Sequence, residues 1–250
     1  MNDHELAAHL AFEAGELLLT VREQYADAER QRRKDAGDRR AQEYLAAALA
    51  QSRPDDAVLS EEAVDNLVRL TAERVWIIDP LDGTREFAEA GRADWAVHVA
   101  LWQRSDDGQT GGLVAGAVAL PAQGISFSTP DVPPIPAHEG APRIIASRTR
   151  PPGAALAVCK ALGGTLVKMG SAGAKMMAIL QGEADIYVHA GGQHEWDSAA
   201  PIAVARAAGL HSSRLDGSPL VYNQADTYLP DLVVCHPEYA DPVLKVTSRW

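Results

Sequence analysis

The 250-residue chain lacks most of what marks a secreted, membrane or nucleic-acid-binding protein. Its two cysteines, Cys159 and Cys235, form no C-x-x-C spacing and pair with no histidine, so they read as structural thiols and not as a redox or zinc motif. No apolar run approaches the roughly 18 residues of a membrane span. Met1-Asn2-Asp3-His4-Glu5 is acidic and lacks the basic start and apolar centre of a secretory leader, so a cytoplasmic protein is expected. Positive charge is scarce, with 23 Lys and Arg against 34 Asp and Glu and a net charge of −11. That argues against polymeric nucleic acid as a partner, which needs a basic face to release counterions. A small anionic substrate must then find its positive charge locally, and a bound metal ion can supply it. No internal repeat is present. The composition, 46% apolar and 23% charged, is that of an ordinary globular protein, and the length allows one large domain or two small ones.

The densest chemistry lies in Val75-Trp76-Ile77-Ile78-Asp79-Pro80-Leu81-Asp82-Gly83-Thr84. Four apolar residues predict a buried strand, and Pro80 is expected to end it on the carboxylate of Asp79. Asp82-Gly83 is a turn dipeptide, so two carboxylates face one small space. Their repulsion is reversed most simply by a divalent cation, and oxygen-only ligands suit magnesium, manganese or calcium better than zinc. The N–H groups of Gly83 and Thr84 can form an anion nest beside it. Metal on one side and amide donors on the other suit a phosphate monoester.

The flanking pattern is mixed. An amphipathic helix is predicted over residues 3–29, then a solvated basic connector, Arg30-Gln31-Arg32-Arg33-Lys34, then a second helix with Asp38 as its N-cap. Ala57-Val58-Leu59 reads as a strand, and Ser60-Glu61-Glu62 as the opening of a helix, which sets Glu61 beside Asp79. Three strands between residues 95 and 127 suggest an antiparallel meander with His98 as a packed core residue. The five prolines of residues 129–142 mark a linker. It separates an N-terminal α+β half, residues 1–130, from a C-terminal α/β half, residues 143–250, within one compact catalytic unit. In the second half a glycine-flexible loop leads to a helix opening at Asp197. Gly170-Ser171-Ala172-Gly173-Ala174-Lys175 opens another, whose free N–H groups suit a phosphate or ribose oxygen. Lys175 and Arg148 can add positive charge there.

Ser60-Glu61-Glu62, Trp76-Ile77-Ile78-Asp79-Pro80-Leu81-Asp82-Gly83-Thr84 and Glu195-Trp196-Asp197-Ser198-Ala199-Ala200 together resemble the three signatures of the inositol monophosphatase superfamily. Arg85-Glu86-Phe87 after the second motif, with Leu215-Asp216-Gly217-Ser218-Pro219-Leu220, resembles its CysQ-type branch of 3′-phosphoadenosine 5′-phosphate phosphatases. The resemblance implies a layered α-β-α-β-α sandwich of the inositol monophosphatase and fructose-1,6-bisphosphatase type. It implies a phosphomonoesterase that removes the 3′-phosphate to leave AMP, clearing a by-product of sulfate assimilation. Two or three magnesium ions are implied, with manganese able to substitute, lithium inhibitory, and a homodimer common in the family. By position, Glu61, Asp79, the Leu81 carbonyl, Asp82 and Asp197 hold metal, and Glu61 also positions the water. Thr84 and an earlier acid activate that water. Asp38 is the acid of choice and Asp35 the fallback, because the family's usual Thr before that helix is replaced here by Asp35-Ala36-Gly37-Asp38. Substrate contacts are implied for Glu61, Leu81, Asp82, Gly83, Thr84, Ser171, Lys175 and Asp197.

Inositol monophosphate and fructose 1,6-bisphosphate are the rival substrates. A haloacid-dehalogenase-type mechanism is excluded, because Pro80 occupies the position of its nucleophilic aspartate. A catalytically silent nucleotide-binding regulator is a further reading, against which all four carboxylates are present.

Overall fold

The computed structural model describes residues 1–108 and 110–250. It opens on α1 (Asp3–Gln24) and α2 (Arg30–Ser52), followed by β1 (Ala57–Ser60), β2 (Arg74–Asp82), the short α3 (Thr84–Phe87), and β3 (Ala96–Arg104), β4 (Gly111–Leu120) and β5 (Ile125–Ser128). The second half comprises β6 (Arg143–Ser147), α4 (Gly153–Ala161), β7 (Thr165–Met169), α5 (Ala172–Leu180), β8 (Ile186–His194), α6 (Glu195–Ala207), β9 (His211–Ser213), β10 (Tyr228–Cys235) and α7 (Ala240–Thr247). Two five-stranded sheets result, ordered β1-β2-β3-β4-β5 and β7-β6-β8-β10-β9.

Alternation along the strands explains the layering. Trp76 and Ile78 of β2, with Val97, Val99 and Leu101 of β3, face the core under α1 and α2. Val75, Ile77, Ala96 and Ala100 face the opposite core, shared with α5, α6 and the second sheet. Successive strand side chains point to opposite faces, so strands apolar on both faces must be covered twice. A third core beneath α4 and α7 closes the outer face of the second sheet. The order is helix, sheet, helix, sheet, helix, as the resemblance implies. Among the described residues no helix is long and apolar enough to cross a membrane.

Local expectations fail where side chains override pattern. The basic run is no connector, since it forms the first turns of α2. Arg, Gln and Lys are strong helix formers, and the Arg33 guanidinium ties that end down by donating to the carbonyls of Tyr25, Ala26 and Ala88. Asp38 therefore lies inside a helix and caps nothing. Ser60-Glu61-Glu62 opens a turn and not a helix. The Asp65 and Asn66 side chains downstream accept the Leu67 and Val68 N–H groups, competing with helical hydrogen bonds.

The middle layer tolerates little bulk. A Cβ on Gly116 of β4 would stand 2.6 Å from the Ala203 Cβ and 3.2 Å from the Ala200 carbonyl oxygen of α6. Gly116→Val is expected to destabilise the fold by about 1–3 kcal/mol, read as a lower urea midpoint. An unchanged midpoint would show that α6 does not press on β4.

Candidate active site

A bulge in β2 builds the centre. β2 pairs with β3 as Asp79↔His98 and then Asp82↔Ala96, with the register broken between them. Three steps along β2 match two along β3. In a regular strand residues 79 and 82 would point to opposite faces; the extra residue brings them to the same side. Pro80 accordingly does not end the strand, which runs to Asp82. A proline lacking its N–H is tolerated where a bulge already interrupts the ladder. Glu61 leaves β1 alongside, since β1 and β2 are parallel with Ser60 opposite Ile78.

Asp197 arrives from the other sheet. The expected glycine loop before it is strand, because β8 runs through Gly191 and Gly192 to His194. Asp197 sits in the first turn of α6, and one of its oxygens accepts the His194 N–H at 2.6 Å. One carboxylate oxygen each from Asp79, Asp82 and Asp197 lie within 4.8 Å of one another.

These acids stand in conflict. Burial, reinforced by Asp197, pushes Glu61 up to about 7. Burial, with Asp82 close by, pushes Asp197 up to about 6. Fully buried Asp79 rises well above the usual carboxylate range through burial, Glu61 and Asp82. Its Oδ1 accepts the Leu81 N–H at 3.0 Å, while its Oδ2 is buried with no hydrogen-bond partner among the described residues. An orphaned buried carboxylate oxygen amid three further acids fits a divalent cation with hard oxygen ligands. Glu61, Asp79, Asp82, Asp197 and the Leu81 carbonyl are the donors that would hold it.

Asp82 differs. Burial pushes it up as well, but His98, Lys175 and Ser171 more than offset this and hold it down at about 2. The Ser171 hydroxyl donates to Asp82 Oδ2 at 2.5 Å and the Gly173 N–H at 2.7 Å. His98 Nε2 lies 3.3 Å from the same oxygen. The start of α5, expected to receive a phosphate or ribose oxygen, thus receives Asp82. Its neighbouring Gly170 N–H donates to Asp94. Ser171 is accordingly a partner of Asp82. Lys175 is buried, with its Nζ donating to the Ser171 carbonyl at 2.5 Å, so its charge acts on the acids from within. Arg148 is also occupied, donating to Glu86 at 2.8 Å and Glu89 at 3.0 Å. His98 is the residue that sequence reading missed: it is core, as expected, and also the counterpart of Asp82. The only sequence signal was an ionisable ring in the middle of an apolar strand.

A second acidic point lies beside the turn. Gly83 takes φ 85° and ψ 39°, a conformation that favours glycine, and directs the chain into α3. Thr84 Oγ1 donates to the Leu81 carbonyl at 3.2 Å. Asp38 lies close enough to Thr84 to feel its side chain. Burial, then Glu62 and Asp35, push Asp38 up to about 7, with Thr84 pulling the other way. Asp35 instead accepts from Gln31 at 2.7 Å on the exposed side of α2. Gly37 permits the approach, since a Cβ there would come within 2.8 Å of Phe87 and Leu81.

The chain matches the inositol monophosphatase family over residues 3–133 and 145–246. It is 53% identical to a Mycobacterium leprae (strain TN) protein named 3′-phosphoadenosine 5′-phosphate phosphatase, over 98% of this chain and 93% of that protein. Among solved structures, CysQ from Bacteroides thetaiotaomicron superposes with a TM-score of 0.76 at 26% identity, covering 94% of this chain and 97% of that one. Staphylococcal SaIMPase-II bound to inositol monophosphate gives a TM-score of 0.78 at 17% identity, covering 100% of this chain and 94% of that one. The last of these bears on the fold alone.

A raised carboxyl pKa stabilises the folded state fully below the ordinary value near 4 and loses that contribution as pH rises through the folded value. With chelator present, the contribution of Glu61 and Asp197 to stability is therefore expected to fall between about pH 4 and 7, and that of Asp79 to fall as pH rises in the same direction. Asp82, held low, contributes the opposite way, and only towards pH 2. Added magnesium is expected to raise the melting midpoint more at pH 7.5 than at pH 5. Equal shifts at the two pH values would contradict the acidic centre.

Proposed function

The chain belongs to the inositol monophosphatase family, and from that premise we propose that it is a magnesium-dependent phosphomonoesterase that converts 3′-phosphoadenosine 5′-phosphate to AMP and phosphate. The observation that carries this reading is the 53% identity, over nearly the full chain, to a protein named for that activity. The presence here of Glu61, Asp79, Asp82 and Asp197 at one centre supports it. Lithium inhibition, two or three bound magnesium ions with manganese as a substitute, and a cytoplasmic setting belong to the same proposal.

When bound, the cation supplies charge neutralisation and a water of lowered pKa. The chain's own groups do the rest. Asp82, fixed as an anion by Ser171, Gly173 and His98, offers a ligand whose charge and direction do not vary. Glu61 orients the attacking water through its carboxylate. Once its hydroxyl turns from the Leu81 carbonyl toward Asp38, Thr84 Oγ1 can receive that water's proton as its own passes to Asp38, whose raised pKa of about 7 lets it accept at neutral pH. The turn at Gly83-Thr84 faces the phosphoryl oxygens. Water is the nucleophile, so no covalent intermediate forms. Ser147 at the end of β6, Arg150 beyond it, and His189 and Gly192 of β8, the strand that leads into α6, help line a cavity of about 410 Å³, with room and a guanidinium for the rest of a nucleotide.

The test is phosphate release with magnesium from 3′-phosphoadenosine 5′-phosphate, inositol 1-phosphate and fructose 1,6-bisphosphate, each with and without lithium. The expected result is preference for the nucleotide, abolished by chelator and by lithium. Preference for inositol or sugar phosphate would overturn the substrate assignment. Asp82→Asn removes one charged ligand and is expected to lower turnover by at least ~10²-fold. Near-normal magnesium-dependent turnover in that variant would show that the site is elsewhere.

A further inference from the structure

The carboxylates of the centre come from segments of very different rigidity. Asp79 and Asp82 lie within a central strand, and Asp197 lies in the first turn of a 13-residue helix. Glu61 is followed by turn and loop as far as the 3₁₀ turn Val68–Leu70. That segment is open to solvent, with Val64 97% exposed and Leu67 50% exposed. Leu67 is held at φ 61°. By itself such a stretch gives Glu61 little reason to stay against Asp197.

One buried network crosses the gap. Arg69, only 1% exposed, donates from Nε and Nη2 to Asp65 Oδ2 at 3.0 and 2.7 Å. Its Nη1 donates to Asn223 Oδ1 at 2.8 Å, and Asn223 Nδ2 returns a bond to the Arg69 carbonyl at 3.2 Å. The backbone N–H groups of Asn223 and Gln224 donate to the two oxygens of Glu195 at 2.6 and 2.7 Å. Glu195 is likewise 1% exposed and stands two residues before Asp197. The network thus joins the segment after Glu61, the loop before β10 and the start of α6. Asn223 is its joint, held at φ 60°, where asparagine is among the few residues at ease. A guanidinium forked between a carboxylate and an amide fixes direction as well as distance.

Resting on the cation-dependent reading above, we propose that Arg69, Asn223 and Glu195 are positioning residues that hold the Glu61 segment against Asp197, so that the cation centre is assembled before cation arrives. All three side chains are buried. They set the affinity for cation by limiting how far Glu61 can relax away from its like-charged neighbours.

The test is magnesium binding to the purified protein, measured by calorimetry without substrate, alongside a melting curve in chelator. Asn223→Gly keeps the positive φ and the N–H to Glu195 but removes the amide joint to Arg69. It is expected to bind magnesium about tenfold more weakly, to need correspondingly more magnesium for half-maximal turnover, and to approach wild-type kcat at saturating magnesium. Asn223→Asp, which keeps the acceptor for Arg69, is expected to restore affinity to within about twofold. Arg69→Lys, which loses the fork but keeps the charge, is expected to weaken it as Asn223→Gly does. A lower melting midpoint with unchanged magnesium affinity in Asn223→Gly and Arg69→Lys would make the network a purely stabilising brace and overturn the proposal. Wild-type protein that binds no magnesium would instead overturn the functional reading itself.

Discussion

The constraint on which this structure depends is the repulsion among four crowded carboxylates, of which Asp79 and Asp82 are buried. Glu61, Asp79, Asp82 and Asp197 approach closely enough that three of them are pushed well above the ordinary carboxylate range. Buried like charges are unfavourable unless neutralised or protonated. A fold selected only for stability would disperse them. Here two sheets, a bulge and a helix start converge to hold them together, and the orphaned Oδ2 of Asp79 marks where the missing positive charge belongs.

The sandwich makes that convergence possible. A single sheet presents neighbouring strand ends on one edge, which suffices for Glu61 and Asp79. The fourth acid must come from elsewhere. Placing α5 and α6 between the two sheets lets α6 bring Asp197 to the centre while the start of α5 grips Asp82. The close contact of α6 with Gly116 and of Gly173 with His98 shows how small residues set the spacing of that middle layer. Glycine at those positions is thus a requirement of the site as much as of the packing.

Much of this was legible in the sequence, and the rest was hidden for identifiable reasons. The motif from Asp79 to Thr84, Glu61 after its strand, and Asp197 at a helix start were readable because each pairs a local pattern with an acid. The bulge at Pro80 was not, since proline in a strand reads as a stop unless the partner's register is known. Asp38 was singled out only by resemblance, and its local explanation as a cap was wrong: a basic run with high helix propensity looked like a connector. Ser171, Lys175 and Arg148 were assigned outward to a ligand because sequence cannot show which partners they already have. The contacts of His98 with Asp82 and of Glu195 with Asn223 were not legible, because the partners lie 16 and 28 positions away.

The contrast between Asp82 and its neighbours completes the account. Ser171, Gly173, His98 and the buried ammonium of Lys175 act on Asp82, so its ionisation is settled by the protein before any cation arrives. Glu61, Asp79 and Asp197 have no comparable set of donors, so their ionisation is left to whatever occupies the centre. A site made only of pre-ionised acids would be too repulsive to fold; one made only of protonated acids would have to release a proton for each ligand it offered. One fixed anion among adjustable ones avoids both extremes. It gives an incoming cation an oriented first ligand, and the remaining acids can then ionise as the cation's field reaches them.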